Sequence, residues 1–137
     1  MRNTGKTIDE LHKGVPIVKF PKKEIVILKI HKSILKRPTI EKCIKIAWRI
    51  DNRKVERCKI LLAVNEGLIE DIFEIDRIVK CKGEKYRKKI FVNSIKDKKL
   101  IKKYVGKLIP VFYRKRRHTY PVRYNFYIER GIVIFYP

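Results

Sequence analysis

Acidic residues are what this chain is shortest of: 14 Asp and Glu face 36 Lys and Arg among 137 residues, a formal net charge of +22. A small domain ordinarily carries a net charge of about 2–8 in magnitude. Self-repulsion at the level seen here opposes compaction unless anions offset it. The imbalance excludes a protein indifferent to anionic partners. Also missing is any run of about 18 uncharged apolar residues, the length a membrane-crossing helix needs. The first 13 residues are polar and mixed in charge, without the apolar core of a secretory signal. Together these absences lead to the expectation of a cytoplasmic protein with no membrane association.

Cysteine is scarce and scattered. Cys43, Cys58 and Cys81 are spaced by 15 and 23 positions, and His12, His31 and His118 lie far from them in sequence. A structural zinc site takes four convergent ligands, commonly in close pairs. No metal centre is therefore expected, and the thiols read as free in a reducing compartment. No G-x-S-x-G, H-E-x-x-H, G-x-G-x-x-G or P-loop sequence occurs. Serine-hydrolase, zincin, dinucleotide and NTPase chemistries have no support, and no cofactor is expected.

What is present suffices for a core: 45% of residues are apolar and 10% aromatic, too many for intrinsic disorder. The charge is unevenly spread. Residues 1–40 carry +7, 41–76 carry −1, 77–128 carry +16, and 129–137 are neutral. One basic run is ordinarily a solvated face. Four runs in succession (80–89, 96–99, 102–107, 114–117) point instead to an anion-binding surface.

Hydrophobic patterning supplies the frame. Residues 1–14 lack periodicity and read as a flexible arm. Glu24–Ile30 is apolar on both alternating faces, the mark of a central strand covered on two sides. Thr39 can cap a helix whose Ile40, Cys43, Ile44, Ala47 and Trp48 form a buried stripe, ending near Ile50. Cys58–Val64 and Leu68–Ile75 flank Gly67 as a hairpin, Tyr86–Val92 reads as a further strand, and Val122–Ile128 and Ile132–Tyr136 flank Glu129-Arg130-Gly131 as a second hairpin. Ser94 to Asp97 has the form of a capping box introducing a helix, with Leu100, Ile101, Tyr104 and Val105 inward and Gly106 at its end. This order predicts an α+β domain over 15–137, built on a curved, mainly antiparallel sheet or small barrel with two helices.

Three constellations could carry function. The first is basic and aromatic: Lys98, Lys99, Lys102, Lys103, Lys107, Tyr113, Arg114, Lys115, Arg116, Arg117, Tyr120 and Arg123. Phosphates attract such cations, and aromatic faces stack unpaired bases at about 1–3 kcal/mol each. Tyr113 and Tyr120, beside the arginines, are the expected exposed pair, whereas Tyr104, Phe126 and Phe135 occupy core positions. The second is Tyr104-Val105-Gly106 followed by Arg114 and His118, which resembles the second half of GIY-YIG nucleases. That resemblance implies Tyr104 as the motif tyrosine, Arg114 as a phosphate clamp, His118 near the nucleophile and Glu129 for Mg²⁺. Lys89-Ile90-Phe91 stands where the family has Gly-Ile-Tyr, and Glu129 is closer than the pattern wants. The third is a carboxylate group, Glu66, Glu70, Asp71, Glu74 and Asp76, in which strict alternation would put Glu70, Glu74 and Asp76 on one strand face and Asp71 on the other. Metal-dependent phosphodiester cleavage needs two or three such groups to converge; a solvated strand face is the plainer reading.

The motifs IVILKI, IAWRI, ILLAVNEGLIEDIFEID, KKIFV, KYVGKLI and YPVRYNF, from Ile25 to Phe126, resemble in their order a family of uncharacterised prokaryotic α+β proteins. The resemblance implies that Tyr104–Lys107 and Pro121–Tyr124 belong to one module. Arg116-Arg117-His118-Thr119 departs from the Gly, Ala and Asn typical of that family before Pro-Val-Arg-Tyr. The strand–helix–hairpin order also looks loosely similar to PUA-like RNA-binding barrels, an analogy of fold. The leading expectation is a non-catalytic nucleic-acid-binding protein, RNA favoured over DNA, of a kind that fits a component of a ribonucleoprotein. The alternative is a metal-dependent nuclease, the one reading that calls for Mg²⁺.

Overall fold

Strand β1 (Ile25–Lys29) begins a sheet whose centre is buried on both faces, as its doubly apolar sequence requires: Ile25, Val26, Ile27 and Leu28 are each 0% exposed. The computed structural model of the chain describes residues 13–30, 40–41, 44, 48–83, 87–114 and 122–137. Within them β1 is followed by β2 (Trp48–Arg49), α1 (Asn52–Val55), β3 (Ile60–Asn65), β4 (Leu68–Lys80), β5 (Arg87–Ser94), α2 (Lys98–Tyr104), a 3₁₀ turn at Val111–Arg114, β6 (Val122–Tyr124), β7 (Phe126–Glu129) and β8 (Ile132–Phe135). Six strands form one sheet in the order β2-β5-β4-β3-β1-β6, and β7 and β8 form a separate two-stranded sheet. Among the described strand pairs, only β1 with β3 is parallel. The α+β, mainly antiparallel expectation holds. The barrel does not: β2 and β6 are open edges rather than a closing pair.

Each face has its own core. On the α1 face Val26, Leu28, Leu61, Ala63, Phe73 and Ile90 pack with Ile40, Ile44, Val55 and the β7–β8 hairpin. On the α2 face Ile25, Ile27, Leu62, Ile69 and Ile72 pack with Val18, Tyr104, Ile109 and Tyr113. Both hairpins close with two residues of positive φ, Glu66 (48°) with Gly67 (80°) and Arg130 (50°) with Gly131 (78°). That geometry matches strand twist and favours glycine at the second position.

Several local expectations give way to tertiary contacts. Ile40, Glu41 and Ile44 are helical, and the two isoleucines are buried as the stripe requires. Trp48 and Arg49, however, pair with Lys88 and Arg87 as β2 rather than ending a helix. Thr39, Cys43 and Ala47 lie outside the described residues, as does the arm through residue 12. The α2 cap is Asp97, not Ser94: its carboxylate accepts from the Lys99 and Leu100 amides at 3.0 and 3.4 Å. Ser94 is still in β5, opposite Phe73. Strand pairing there outweighs the local capping signal. Gly106 (φ 83°) follows the helix as expected.

Candidate nucleic-acid interface

The amphipathic spacing of α2 sets its two sides apart. Tyr104 is 1% exposed, and Leu100, Ile101 and Val105 pack half-buried beneath it. The intervening Lys98, Lys99, Lys102 and Lys103 are all exposed. The segment after the helix is stitched in on both sides. Gly106 donates to the Ile69 carbonyl and Ile69 to the Lys107 carbonyl, both at 2.9 Å, while Leu108 donates to Pro16 at 2.9 Å and Val18 to Leu108 at 2.8 Å. Tyr-Val-Gly-Lys-Leu-Ile thus continues the sheet locally, and Lys107 stands half-buried at its rim.

Arg123 reaches the same side from the far edge. It pairs directly with Ile27, a member of the α2-face core, and its guanidinium lies 6.0 Å from the Phe112 ring centroid. Its charge also bears on Lys29, whose ammonium pKa is lowered first by burial and then by Arg123. Two cations are thus held close on a partly covered face.

Tyr113 corrects the expected exposed pair. It is 2% exposed, packed edge-on to Phe20 and Phe112 at 5.2 and 5.1 Å and facing Tyr136 at 6.5 Å. Burial pushes its phenol up to about 12. Arg114 is likewise buried, with Nε and Nη2 sealed from solvent. Both are core groups of the 3₁₀ turn rather than open contacts; among the described aromatics, Phe112 is left outside, 37% exposed. Lys115, Arg116, Arg117, His118 and Tyr120 lie outside the described residues.

The nuclease-like set is dispersed in character. Tyr104 is sealed in the core, its phenol pKa raised by burial, Arg114 is buried, and Glu129 is exposed at the β7–β8 turn. The carboxylate group does not alternate as expected either. Register shifts put Glu70 and Asp76 at bulges, and Asp71 turns inward, 7% exposed, accepting from the Ile72 amide at 2.8 Å. Among the described residues no three His, Cys, Asp or Glu side chains are grouped to hold a metal ion.

Sequence reasoning left out part of the basic surface. In β4 and β5, Ile78 and Ile90 pair on the α1 face, so Arg77, Val79, Arg87, Lys89 and Phe91 fall on the α2 face. Arg77, Val79, Arg87 and Lys89 are exposed there, and the Arg77 guanidinium lies 4.5 Å from the Phe91 ring centroid. The basic run at 80–89 was the available signal, but its face depends on the bulge at Asp76. From β5 to β6 the sheet spans four strand spacings, about 19 Å, with cations on one side along that width.

No protein family, curated protein or solved structure matches the chain. Among the described residues no helix is long and apolar enough to cross a membrane.

Proposed function

We propose that this protein binds nucleic acid, RNA in preference to DNA, without catalysing a reaction on it. The observation that carries the reading is the placement of Lys98, Lys99, Lys102 and Lys103 together on the exposed side of α2, with Lys107 and Arg123 on the same side of the sheet. Lysines act on phosphate as point charges and carry little base-reading geometry. A seven-residue helix without arginine is poorly suited to reading a major groove. Recognition is of phosphate and shape, in a cytoplasmic, ribonucleoprotein-like setting. The test is binding of single-stranded RNA, duplex RNA and duplex DNA between 50 and 200 mM salt. Affinity falls steeply with salt because bound phosphates release counterions. A nearly flat salt dependence refutes the proposal, and Mg²⁺-dependent cleavage of any of these substrates refutes its non-catalytic part.

A further inference from the structure

The opposite face of the same strands holds a second feature. A cavity of about 550 Å³ lies between the α1 region and the outer half of β4 and β5. Lys59, Lys80 and Lys88 line it together with the apolar Val55, Ile75 and Ile78. Lys80 and Lys88 are directly opposite in the β4–β5 register. Like charges so placed destabilise a sheet.

Lys88 is the unusual member. It is 5% exposed on a strand flanked by β2 and β4, and its side chain makes no ion pair or hydrogen bond with any described residue. The two acidic groups at the cavity do not answer it. Asp76 is engaged by Arg77 at 3.2 Å, and Glu56 is exposed and pairs with none of the three lysines. Its stem is buried, and with Lys80 and Lys59 it lines a space of the size that small-molecule sites occupy, about 300–1,000 Å³.

We propose that this cavity binds a phosphate-bearing ligand of nucleotide size. The phosphate sits on Lys88, Lys80 and Lys59, and the less polar part lies against Val55, Ile75 and Ile78. The ligand is either a free mononucleotide or the phosphorylated end of a strand. The site is on the face away from α2, and the proposal does not rest on the nucleic-acid reading above.

The experiment follows thermal unfolding and calorimetric binding with inorganic phosphate, AMP and adenosine, for the wild type, Lys88→Met and Lys80→Gln. The wild type is stabilised by AMP in a concentration-dependent way and not by adenosine. Lys88→Met and Lys80→Gln each weaken AMP binding by at least about tenfold, equivalent to about 1.4 kcal/mol. Lys88→Met is also at least as heat-stable as the wild type without ligand, because it removes the like charge opposite Lys80 while keeping the bulk of the stem. A wild type indifferent to AMP overturns the proposal. So does AMP binding by either variant with unchanged affinity, and Lys80→Gln serves if Lys88→Met does not fold. A Lys98, Lys99, Lys102 and Lys103 to Gln variant keeps its AMP response, which separates this site from the α2 surface. Comparing RNA bearing a 5′-phosphate with the same RNA ending in a 5′-hydroxyl distinguishes the two sources. A preference for the phosphate assigns the pocket to strand ends, and equal binding alongside an AMP response assigns it to the free nucleotide.

Discussion

Asn125, which no motif marked, joins the main sheet to the β7–β8 hairpin, and removing its side chain should be among the costlier changes in the molecule. It is 2% exposed between β6 and β7. Its Oδ1 accepts from the Ile25 amide at 2.8 Å and its Nδ2 donates to the Lys23 carbonyl at 2.7 Å. Asn125→Ala strands the Ile25 amide, in a residue 0% exposed, while water can replace the partner at exposed Lys23. An unsatisfied buried donor costs about 1–3 kcal/mol; with the lost packing the total is about 2–4 kcal/mol. At about 2.1 cal/mol/K per residue of unfolding entropy, that lowers Tm by roughly 7–14 °C. Asn125→Asp tests the hydrogen-bond account more sharply. It keeps an acceptor for Ile25 but turns a carboxylate oxygen toward a carbonyl. Burial and that carbonyl raise the introduced group's folded pKa above its ordinary value of about 3.9. The protonated form can donate to Lys23, so the penalty relative to wild type is full above the folded pKa and shrinks as pH falls through it. Differential scanning calorimetry of both variants from pH 7 to pH 4 reads this out. A Tm for Asn125→Ala within about 2 °C of wild type, or an Asn125→Asp deficit that grows on acidification, refutes the reasoning.

Three other outcomes are expected. If Lys98, Lys99, Lys102, Lys103, Lys107 and Arg123 each meet one phosphate of single-stranded RNA, the log–log salt slope is about −4, and Gln at the four α2 lysines reduces it by about 3; filter binding across a salt series measures this, and an unchanged slope removes α2 from the interface. The Cys58 thiol, 5% exposed and pushed up to about 12 by burial and then by Glu24, stays unalkylated by iodoacetamide at pH 8 until the protein unfolds; peptide mapping of the native protein checks it, with a labelled Cys58 as the contrary result. In the β7–β8 turn, Arg130→Asn relieves a left-handed residue and raises stability by about 0.5–1 kcal/mol, whereas Gly131→Ala, which has open space for a Cβ but φ 78°, loses about 1–2 kcal/mol through the backbone alone; equal denaturation midpoints for the two would contradict the turn geometry.

Features written in adjacent residues were legible. The doubly apolar run of β1, the glycines at 67, 106 and 131, and the lysine–apolar alternation of α2 each depend on a window of a few positions. Features fixed by distant pairing were not. Tyr113 reads as exposed beside its arginines, yet Phe20 and Tyr136 enclose it from opposite ends of the chain. Ser94 has the chemistry of a cap, but its backbone is committed to Phe73. The bulges at Glu70 and Asp76 break the alternation on which any reading of the β4 carboxylates depends. Of the candidate surface, the α2 lysines were placed by periodicity alone. Arg123 joins them only because its register partner is Ile27.

Where the few carboxylates go bears on the surplus of cations. Asp51 accepts from the Arg53 amide, Asp71 from Ile72 and Asp97 from Lys99 and Leu100, so three acidic groups hold backbone amides. Asp76 is paired with the neighbouring Arg77. None of these four is paired with the α2 lysines, and none with Lys80 or Lys88. The sheet meanwhile brings Lys80 into register with Lys88 and sets Arg123 near Lys29. A sheet gains nothing from like-charged neighbours. On the readings proposed above, an anion from outside, extended on the α2 face and compact in the cavity on the α1 face, would turn those costs into binding energy. That link, from capping carboxylates to lysines in like-charged register, is why the proposed reading assigns the charge to a complex rather than to the free chain.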